Sequence, residues 1–442
     1  MKYGFRVLER TTTLTGVSTA PMPLSATRTK RSLASAALLV MIGPGVMVML
    51  ADTDAGSVIT AAQSGAKFRY AFVLPQLVLI PALYLVQEMT VRLGLATGEG
   101  HGALIRRVFG SRWALLSAGT LFVACVGALV TEFAGVAGVG ALVGIPRWAS
   151  TSTAAAALIA LVLLGRYRRV EHVGIAVGAL ELLFIPAAIF AHPHVGVILH
   201  DVGNPIHATG GFATLLAANV GAVIMPWMVF YQQEAVIDKD RRGLGLRAAV
   251  RSARLDTATG SVVTQLVMVA VIIATGATLG LAHRGVSLNS VGAIASALTP
   301  FLGHDRAIVF FGLGMVGAAV VAALVVTLAG AWGISEVLGW RHSLNDSPAR
   351  AAGFYSLAVG GILAGAVLVL VVPNLVKLTI NVEVLNACLL PVILGFLVAL
   401  EHRALPAELR MRGVRRWATY SVAAVVIVFG VATAAVVLLG LA

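Results

Sequence analysis

The segment Ala51-Asp52-Thr53-Asp54-Ala55-Gly56-Ser57 decides the fold, because it interrupts an apolar run that extends from Leu33 to Ala66. It places two carboxylates and a glycine in the middle of a stretch long enough to cross a membrane. A carboxylate at that depth costs about 3 kcal/mol even on the mildest insertion scale, so it is expected to face a cavity or a cation. The segment therefore predicts a transport pathway.

The composition is that of an integral membrane protein. Of the 442 residues, 59% are hydrophobic and 12% are charged, and the mean hydropathy is +0.93. A membrane-spanning helix takes about 20 mostly apolar residues, and about eleven such stretches follow one another along the chain. We expect an all-α integral membrane fold with about eleven transmembrane helices in one domain at residues 33–442, preceded by a flexible cytoplasmic tail at residues 1–32.

Basic residues are distributed unevenly among the loops. Lys and Arg fill the N-terminal tail and every second loop after it, whereas the other loops carry only Lys67, Arg69, Arg147, Arg284, Arg306 and Lys377. Because cytoplasmic loops hold the excess of Lys and Arg, we expect a multi-pass protein of the cell membrane with a cytoplasmic N-terminus and, from the odd helix count, an outside C-terminus. This distribution accounts for the net charge of +13. The lipid bilayer is the expected partner, and nucleic acid is not.

A second interruption lies in the sixth apolar stretch, at Gly221-Ala222-Val223-Ile224-Met225-Pro226-Trp227. Pro226 has no amide proton and disfavours a helical conformation at Met225, so carbonyl groups near Ala222 are expected to lose their helical partners. Helices interrupted at corresponding positions of two halves are typical of inverted-repeat transporters. The offset of five stretches predicts repeats at about residues 33–191 and 211–400, with an extra helix at about 417–442.

Several motifs, in matching order along the chain, resemble the Nramp family of divalent-metal transporters. They are Gly43-Pro44, Asp54-Ala55-Gly56-Ser57, Gln87 to Gly94 with Thr97-Gly98, Ile224-Met225-Pro226 and Leu328-Ala329-Gly330. The resemblance implies a LeuT-type five-plus-five inverted repeat in which helices one and six are broken. It also implies a secondary transporter that holds a divalent metal ion between the two breaks and moves it by alternating access.

The resemblance further implies which residues bind the metal. The family motif Asp-Pro-Gly-Asn uses its Asp and its Asn as ligands, and Asp54 and Ser57 stand at these positions. The thioether ligand of helix six is matched by Met225, and freed carbonyls near Ala222 lie beside it. In helix ten, Glu383 stands near the position where the family places a Gln, so this chain gains a carboxylate near the ion.

Other positions depart from the family pattern. The two family His residues of helix six are replaced by Trp227 and Gln232, and the helix-three pattern Asp-Leu-Ala-Glu reads Glu132-Phe133-Ala134-Gly135. No histidine is therefore expected at the membrane centre, where its near-neutral pKa would suit a proton relay. Proton coupling is left open; if it operates, we expect it to depend on Glu132, Glu383 or Asp54.

The side chains expected behind the ligands or along a proton route are Glu132, Asp52, Trp227, Gln232 and Asn386. Asp52 would point away from Asp54 on a helix, so it is expected to line the access path or to pair with a group of helix three or ten. Glu88 and Arg92 are spaced for an i, i+4 ion pair. Structural pairing is also the expected role of Glu181, Glu234, Asp256 and Glu336.

The expected ligands fit two classes of ion, transition ions and Mg²⁺. Met225 favours Mn²⁺ or a related transition ion, because a thioether is a soft ligand. Glu383 and Ser57 favour a harder ion such as Mg²⁺, which keeps its waters and uses few carboxylates. We place Mn²⁺ slightly ahead of Mg²⁺, as a substrate, and we expect no cofactor.

Two other classes of function fit the sequence less well than metal transport. An amino-acid or other organic-solute transporter on the same fold would hold a substrate carboxylate at the broken helix ends, but Asp54 would repel it. An enzyme is not expected, because the chain contains no Gly-x-x-x-x-Gly-Lys-Ser/Thr loop and no His/Cys metal motif. The sequence leaves the oligomeric state open.

Overall fold

The computed structural model describes residues 44–165, 167–204, 210–238, 245–280, 294 and 303–440. The predicted tail at residues 1–32 and the start of the first apolar run lie outside these residues. The helices are α1 (Pro44–Asp52), α2 (Ala55–Phe68), α3 (Val73–Thr97), α4 (His101–Phe109), α5 (Ser111–Leu142), α6 (Arg147–Leu164), α7 (Tyr167–Gly178), α8 (Phe184–Phe190), α9 (Val195–Gly203), α10 (Gly210–Val223), α11 (Pro226–Asp238), α12 (Leu246–Thr275), α13 (His304–Leu338), α14 (Ala352–Val371), α15 (Leu375–Arg403) and α16 (Gly413–Leu438). A 3₁₀ helix at Ala179–Leu183 joins α7 to α8, and a π-helical turn at Gly276–Gly280 extends α12.

The described residues contain ten spans that are long and apolar enough to cross a membrane, and the bent pair α1 and α2 raises the number to eleven. One of the ten, Gly211–Ile237, covers α10 and α11 except for one residue at each end. The predicted number of spans is therefore confirmed, as is the predicted position of both interruptions. In each case a short non-helical link separates two helices that together have the length of one span.

Several helical segments differ from the sequence prediction, among them α12 and α4. Hydropathy alone predicts a seventh span from Thr257 to Leu281, whereas α12 begins at Leu246. The added turns are rich in arginine, which lowers their hydropathy, but Arg254 Nε donates to Glu88 Oε1 over 2.7 Å and holds these turns against α3. The second difference is α4, a short amphipathic helix in a segment that hydropathy assigns to a loop. Its first residues are buried, whereas Arg106 and Arg107 lie in its last turn.

The two broken spans pack against the same neighbours. α2 contacts α10, and both contact α15. The contact between α10 and α15 is close because Gly221 has no side chain: a Cβ at this position would lie 2.8 Å from Ala387 N. The fold therefore brings the two breaks and the tenth span to one place inside the protein.

Two buried acids, Asp256 and Glu88, make the structural contacts that the sequence predicts. Asp256 on α12 accepts hydrogen bonds from the first-turn amides of α1, Gly45 N at 2.9 Å and Val46 N at 3.1 Å. The expected pair of Glu88 and Arg92 is present, with Arg92 Nε 2.9 Å from Glu88 Oε1. The Asp256 contacts fix α1 relative to α12, whereas the Glu88–Arg92 pair lies within α3.

Candidate functional site

The first break is organised by Asp54. α1 and α2 meet at an angle of 47°, and Asp54 is the N-cap of α2, because its Oδ1 accepts a 2.6 Å hydrogen bond from Ser57 N. An Asp is among the best residues for this position, since it satisfies an amide that has no helical partner. Its other oxygen, Oδ2, is buried and has no hydrogen-bond donor. One oxygen thus fixes the side chain, and the other is available to a ligand.

The second break is joined to the first by a direct hydrogen bond. Ser57 Oγ donates to Ala222 O over 3.0 Å, just before α10 ends at Val223. Met225 is fully buried in the link between α10 and α11, and Pro226 begins α11. The structure therefore brings Asp54, Ser57 and Ala222 together and places Met225 at the adjoining break.

α15 contributes a second carboxylate beside Asp54. Glu383 Oε2 accepts a 3.0 Å hydrogen bond from Asn386 Nδ2, whereas Glu383 Oε1 and Asn386 Oδ1 are buried without a donor. Gly56 lies between the two acids: a Cβ there would touch Glu383 Oε1 and would lie 3.3 Å from Asp54 Oδ1. The carboxyl groups of Asp54 and Glu383 thus lie in one small region.

Glu132 on α5 supports the first turn of α2. Its Oε2 accepts from Ala55 N over 3.1 Å, and its Oε1 accepts from Thr131 Oγ1 over 3.2 Å. A carboxylate at this place is favourable because the first amides of a helix carry a partial positive charge. Glu132 also interacts electrostatically with Asp54, so it belongs to the site and stands behind the expected ligands.

Within the described residues Asp52 does not pair with helix three or ten, so this part of the expectation was wrong; the alternative, that it lines the access path, stays a prediction. α12 packs along α1, and it supplies the partners: Gln265 Nε2 donates to Asp52 Oδ2 over 3.1 Å, and Thr264 Oγ1 donates to the same oxygen over 3.4 Å. Asp52 Oδ1 is buried without a donor. Asp52 therefore connects the first break to the seventh span.

Trp227 and Gln232 lie on α11, beyond the break. Trp227 is fully buried and its Nε1 has no acceptor, whereas Gln232 Nε2 donates to Thr257 Oγ1 over 3.4 Å. Neither side chain forms a hydrogen bond with the carboxylates of the first break within the described residues. Gln232 instead connects α11 to Thr257 on α12.

The structure adds one residue that the sequence prediction assigned to a structural pair. Glu181 is fully buried in the 3₁₀ helix between α7 and α8. It faces Thr53 and interacts electrostatically with Asp52 and Asp54. The signal was present in the sequence, since an acid in the middle of an apolar stretch is as costly there as at Asp54.

Five carboxyl groups therefore surround the first break, and they are 0–1% exposed. Within the part of the chain that the structure describes, none of them forms an ion pair with a Lys or an Arg. Buried charge without a partner of opposite sign is strongly unfavourable. The site requires cations, either metal ions or protons, to balance its charge. The five are Asp52, Asp54, Glu132, Glu181 and Glu383.

Known proteins resemble this chain in sequence. The family model described as natural resistance-associated macrophage protein-like, Nramp, matches residues 45–435. The divalent metal cation transporter MntH of Acidiphilium cryptum is 26% identical over 399 residues, which are 85% of this chain and 86% of that protein. The metal transporter Nramp3 of Oryza sativa subsp. japonica is 24% identical over 245 residues, which are 54% of this chain and 44% of that protein.

Solved structures resemble it in fold. A mutant of the Eremococcus coleocola manganese transporter superposes with a TM-score of 0.73 at 18% identity, covering 94% of this chain and 88% of that one. MhsT in complex with L-phenylalanine gives a TM-score of 0.59 at 14% identity, covering 88% and 97%. These similarities confirm the predicted LeuT-type fold. The Nramp family model matches residues 45–435, which is most of the chain and includes both breaks. The chain therefore belongs to the Nramp family.

Proposed function

We propose that this protein is a secondary transporter, not an enzyme, that carries a divalent metal cation across the membrane by alternating access. The observation that carries the proposal is the group of five buried carboxyl groups around the first break, none of which has a basic partner in the described residues. Relatives that bear the names MntH and Nramp3 are metal transporters. Charge balance and family membership therefore support the same function.

The ligand set follows from the oxygens that lack donors. Asp54 Oδ2 and Glu383 Oε1 are the primary oxygen ligands. Ser57 Oγ uses its proton to reach Ala222 O and keeps its lone pairs for the ion. Met225 supplies a thioether from the adjoining break. Carboxylate and hydroxyl oxygens suit any hard divalent ion, and the sulfur favours a transition ion over Mg²⁺. We therefore propose Mn²⁺ ahead of Mg²⁺ as the substrate.

An amino-acid substrate is the weaker alternative. A substrate carboxylate at the broken helix ends would enter a region that already holds five acids, which would repel it. The solved structure with bound L-phenylalanine also superposes less well than the manganese transporter. Both observations favour a cation over an organic anion or zwitterion.

Proton coupling is part of the proposal because one metal ion cannot balance the site. A divalent ion compensates two of the five carboxylates, so the remaining acids hold protons while the metal is bound. Transfer of these protons across the membrane together with the metal, and their release on the inner side, couples the two flows and acidifies the interior. Glu132 is placed to take part, since it adjoins both Asp54 and the first turn of α2.

The proposed location is the cell membrane, with the N-terminus in the cytoplasm and the C-terminus outside. The ends of α3, α11, α13 and α15 lead into loops that carry most of the Arg residues, and such loops remain on the cytoplasmic side. The ion pairs of Glu88 with Arg92, Arg254 and Arg415 lie at this end.

Uptake into proteoliposomes tests the proposal. Purified protein is reconstituted, Mn²⁺ and Mg²⁺ are supplied separately, and internal pH is recorded with a trapped dye. We expect Mn²⁺ uptake in the parent and its loss in Asp54→Ala. Glu99→Gln is the control, because Glu99 forms a half-exposed surface pair with Arg107. Uptake of neither ion, or an Asp54→Ala variant as active as the parent, would refute metal transport.

The route of the proton is tested in the same vesicles. In Glu132→Gln we expect Mn²⁺ uptake with reduced acidification, because the variant cannot release a proton at this position. Acidification equal to that of the parent would remove Glu132 from the route and leave the metal proposal intact.

A further inference from the structure

A second group of potential metal ligands lies away from the central site. Glu234 is near the end of α11, Glu336 is near the end of α13, and His342 follows α13 in the chain. One ligand atom from each side chain lies within 4.8 Å of the other two. Ligand oxygens and nitrogens lie about 2.1 Å from a divalent transition ion, so two ligands of one ion are at most about 4.2 Å apart. Small side-chain movements would complete such a geometry.

The two carboxylates are held in place. Glu336 Oε2 accepts hydrogen bonds from Gly102 N at 2.8 Å and from Ala103 N at 3.1 Å, in the first turn of α4. Both Glu234 and Glu336 are 6% exposed. They converge over Gly100, where a Cβ would touch Glu336 Oε1 and would lie 2.6 Å from Glu234 Oε2. The glycine thus leaves room for two acids side by side.

Within the described residues, neither Glu234 nor Glu336 forms an ion pair with a Lys or an Arg. Two adjacent buried carboxylates repel each other unless a proton or a metal ion lies between them. A cation is therefore expected at the point where they meet.

His342 is oriented as a metal ligand would be. Its Nδ1 is 2.8 Å from Trp340 O, so this nitrogen carries a proton and donates it to the carbonyl. The other nitrogen, Nε2, faces Glu234 Oε1 at 3.5 Å. Metal-binding histidines use one ring nitrogen for the ion and donate the proton of the other to a carbonyl or a carboxylate, which fixes the tautomer.

The group opens into a cavity of about 400 Å³, which gives water and ions access to it. Glu234 and His342 lie in its wall, and Asp346 adds a third carboxylate; Arg341 is a basic residue of the same wall. The remaining lining residues are Gly339, Trp340 and Ser343. The cavity is large enough for an ion that keeps part of its hydration shell.

We propose that Glu234, Glu336 and His342 form a second divalent-cation site, separate from the transport site. Nine residues of sequence, or about 13 Å of α11, separate Glu234 from Met225. A nitrogen with two carboxylates favours transition ions over Mg²⁺. In the orientation proposed above the site faces the cytoplasm, and an ion bound there joins α11 to α13. The binding site itself does not depend on the proposed transport function.

Metal binding by purified protein tests this site without any transport assay. Titration calorimetry with Mn²⁺ should give two sites in the parent, one in Asp54→Ala, and none in Asp54→Ala combined with Glu234→Gln or with Glu336→Gln. The control combines Asp54→Ala with His402→Ala, which replaces an exposed histidine in the last turn of α15 and should keep the remaining site. Absence of binding in Asp54→Ala, or binding that both Gln variants retain, overturns the proposal.

A second measurement separates loss of ligand from loss of fold. In the Asp54→Ala background, His342→Asp keeps a ligand and should retain Co²⁺ binding with a changed visible spectrum, whereas His342→Leu should lose it. Thermal unfolding without metal should be the same for both variants. Equal Co²⁺ spectra for His342→Asp and Asp54→Ala alone would exclude His342 as a ligand. Failure of Mn²⁺ uptake by the parent would refute the transport function and leave this result unaffected.

Discussion

At the scale of single residues, Asp54 has two roles that normally belong to different side chains. Through Oδ1 it caps α2, and through Oδ2 it offers an oxygen that no donor satisfies. Asn at this position would keep the cap and lose the charge, so Asp54→Asn separates the two roles. Asp54→Ala removes both, and its lost cap alone costs about 1 kcal/mol.

The sequence predicts a structural pair for Glu181, whereas we expect this acid to take part in moving protons. Glu181→Gln removes one carboxylate from the five that surround the first break, without touching a proposed ligand. We expect Mn²⁺ uptake to persist and the number of protons moved per Mn²⁺ to fall, since one titratable group is lost. Simultaneous recording of Mn²⁺ and internal pH measures that ratio. An unchanged ratio in Glu181→Gln, with Glu99→Gln as the control, would contradict this role.

His101 gives a prediction for stability against pH. Burial lowers the pKa of His101 to about 4, although Nδ1 lies 3.0 Å from Gln233 Oε1. The unfolded chain takes up a proton below pH about 6.5, and the folded chain does so only near pH 4. Stability present above pH 6.5 is therefore lost as the pH falls toward 4, by about 2 kcal/mol at pH 5.

The measurement is thermal unfolding in detergent at pH 7 and pH 5. We expect the parent to lose more stability between these values than His101→Gln, which keeps a polar side chain near Gln233 and does not titrate. An equal loss in both proteins would show that His101 does not contribute.

At the scale of elements, the breaks could be predicted and their partners could not. Asp54 in an apolar run and Pro226 after Met225 are local signals, so both interruptions were found from sequence. The pairing of Asp52 with α12 depends on which span packs along α1, and no local pattern specifies that contact. The same reason explains α4, whose nine residues are too few for a hydropathy signal. The ion pair between Arg254, in the Arg-rich start of α12, and Glu88 on α3 could not be predicted from the sequence for the same reason.

Gly56 allows α2 and α15 to lie close together beside the two acids. Gly56→Ala adds a methyl group that would press on the Glu383 carboxylate and come close to Asp54. Overpacking of this kind costs about 1–3 kcal/mol, and here the strain falls on the ligand oxygens, so we expect Mn²⁺ affinity to fall about tenfold or more.

The matched control is Gly360→Ala on α14, where a Cβ would meet no atom within 4 Å. Alanine is the better helix former, so this variant should be at least as stable as the parent. Mn²⁺ affinity is measured by calorimetry in both. A Gly56→Ala protein that binds like Gly360→Ala would show that α2 and α15 separate easily at this point.

At the scale of the whole molecule, the bundle concentrates negative charge at its centre and ion-paired charge at one end. Glu88, Arg92 and Glu401 form a buried network there, with Arg92 Nη1 3.2 Å from Glu401 Oε1. The central acids have no such partners in the described residues. A fold with this arrangement is most stable when cations fill its centre, because they bind the folded chain alone.

Metal should therefore stabilise the entire protein. At Mn²⁺ concentrations about 100 times the dissociation constant, the free energy of unfolding should rise by about 2.7 kcal/mol for each site that exists only in the folded state. Thermal unfolding with increasing Mn²⁺ measures this gain, which should shrink in Asp54→Ala. A melting temperature independent of Mn²⁺ would contradict metal binding at the centre.

The complete burial of Asp54 affects how fast each ion can be transported. An ion reaches this carboxylate only after exchanging water molecules for protein ligands. Mg²⁺ gives up its hydration shell reluctantly, so each cycle with Mg²⁺ would wait for water exchange even where binding is tight. Discrimination between the two ions would then show itself in turnover, with Mg²⁺ occupying the pathway as a slow competitor of Mn²⁺.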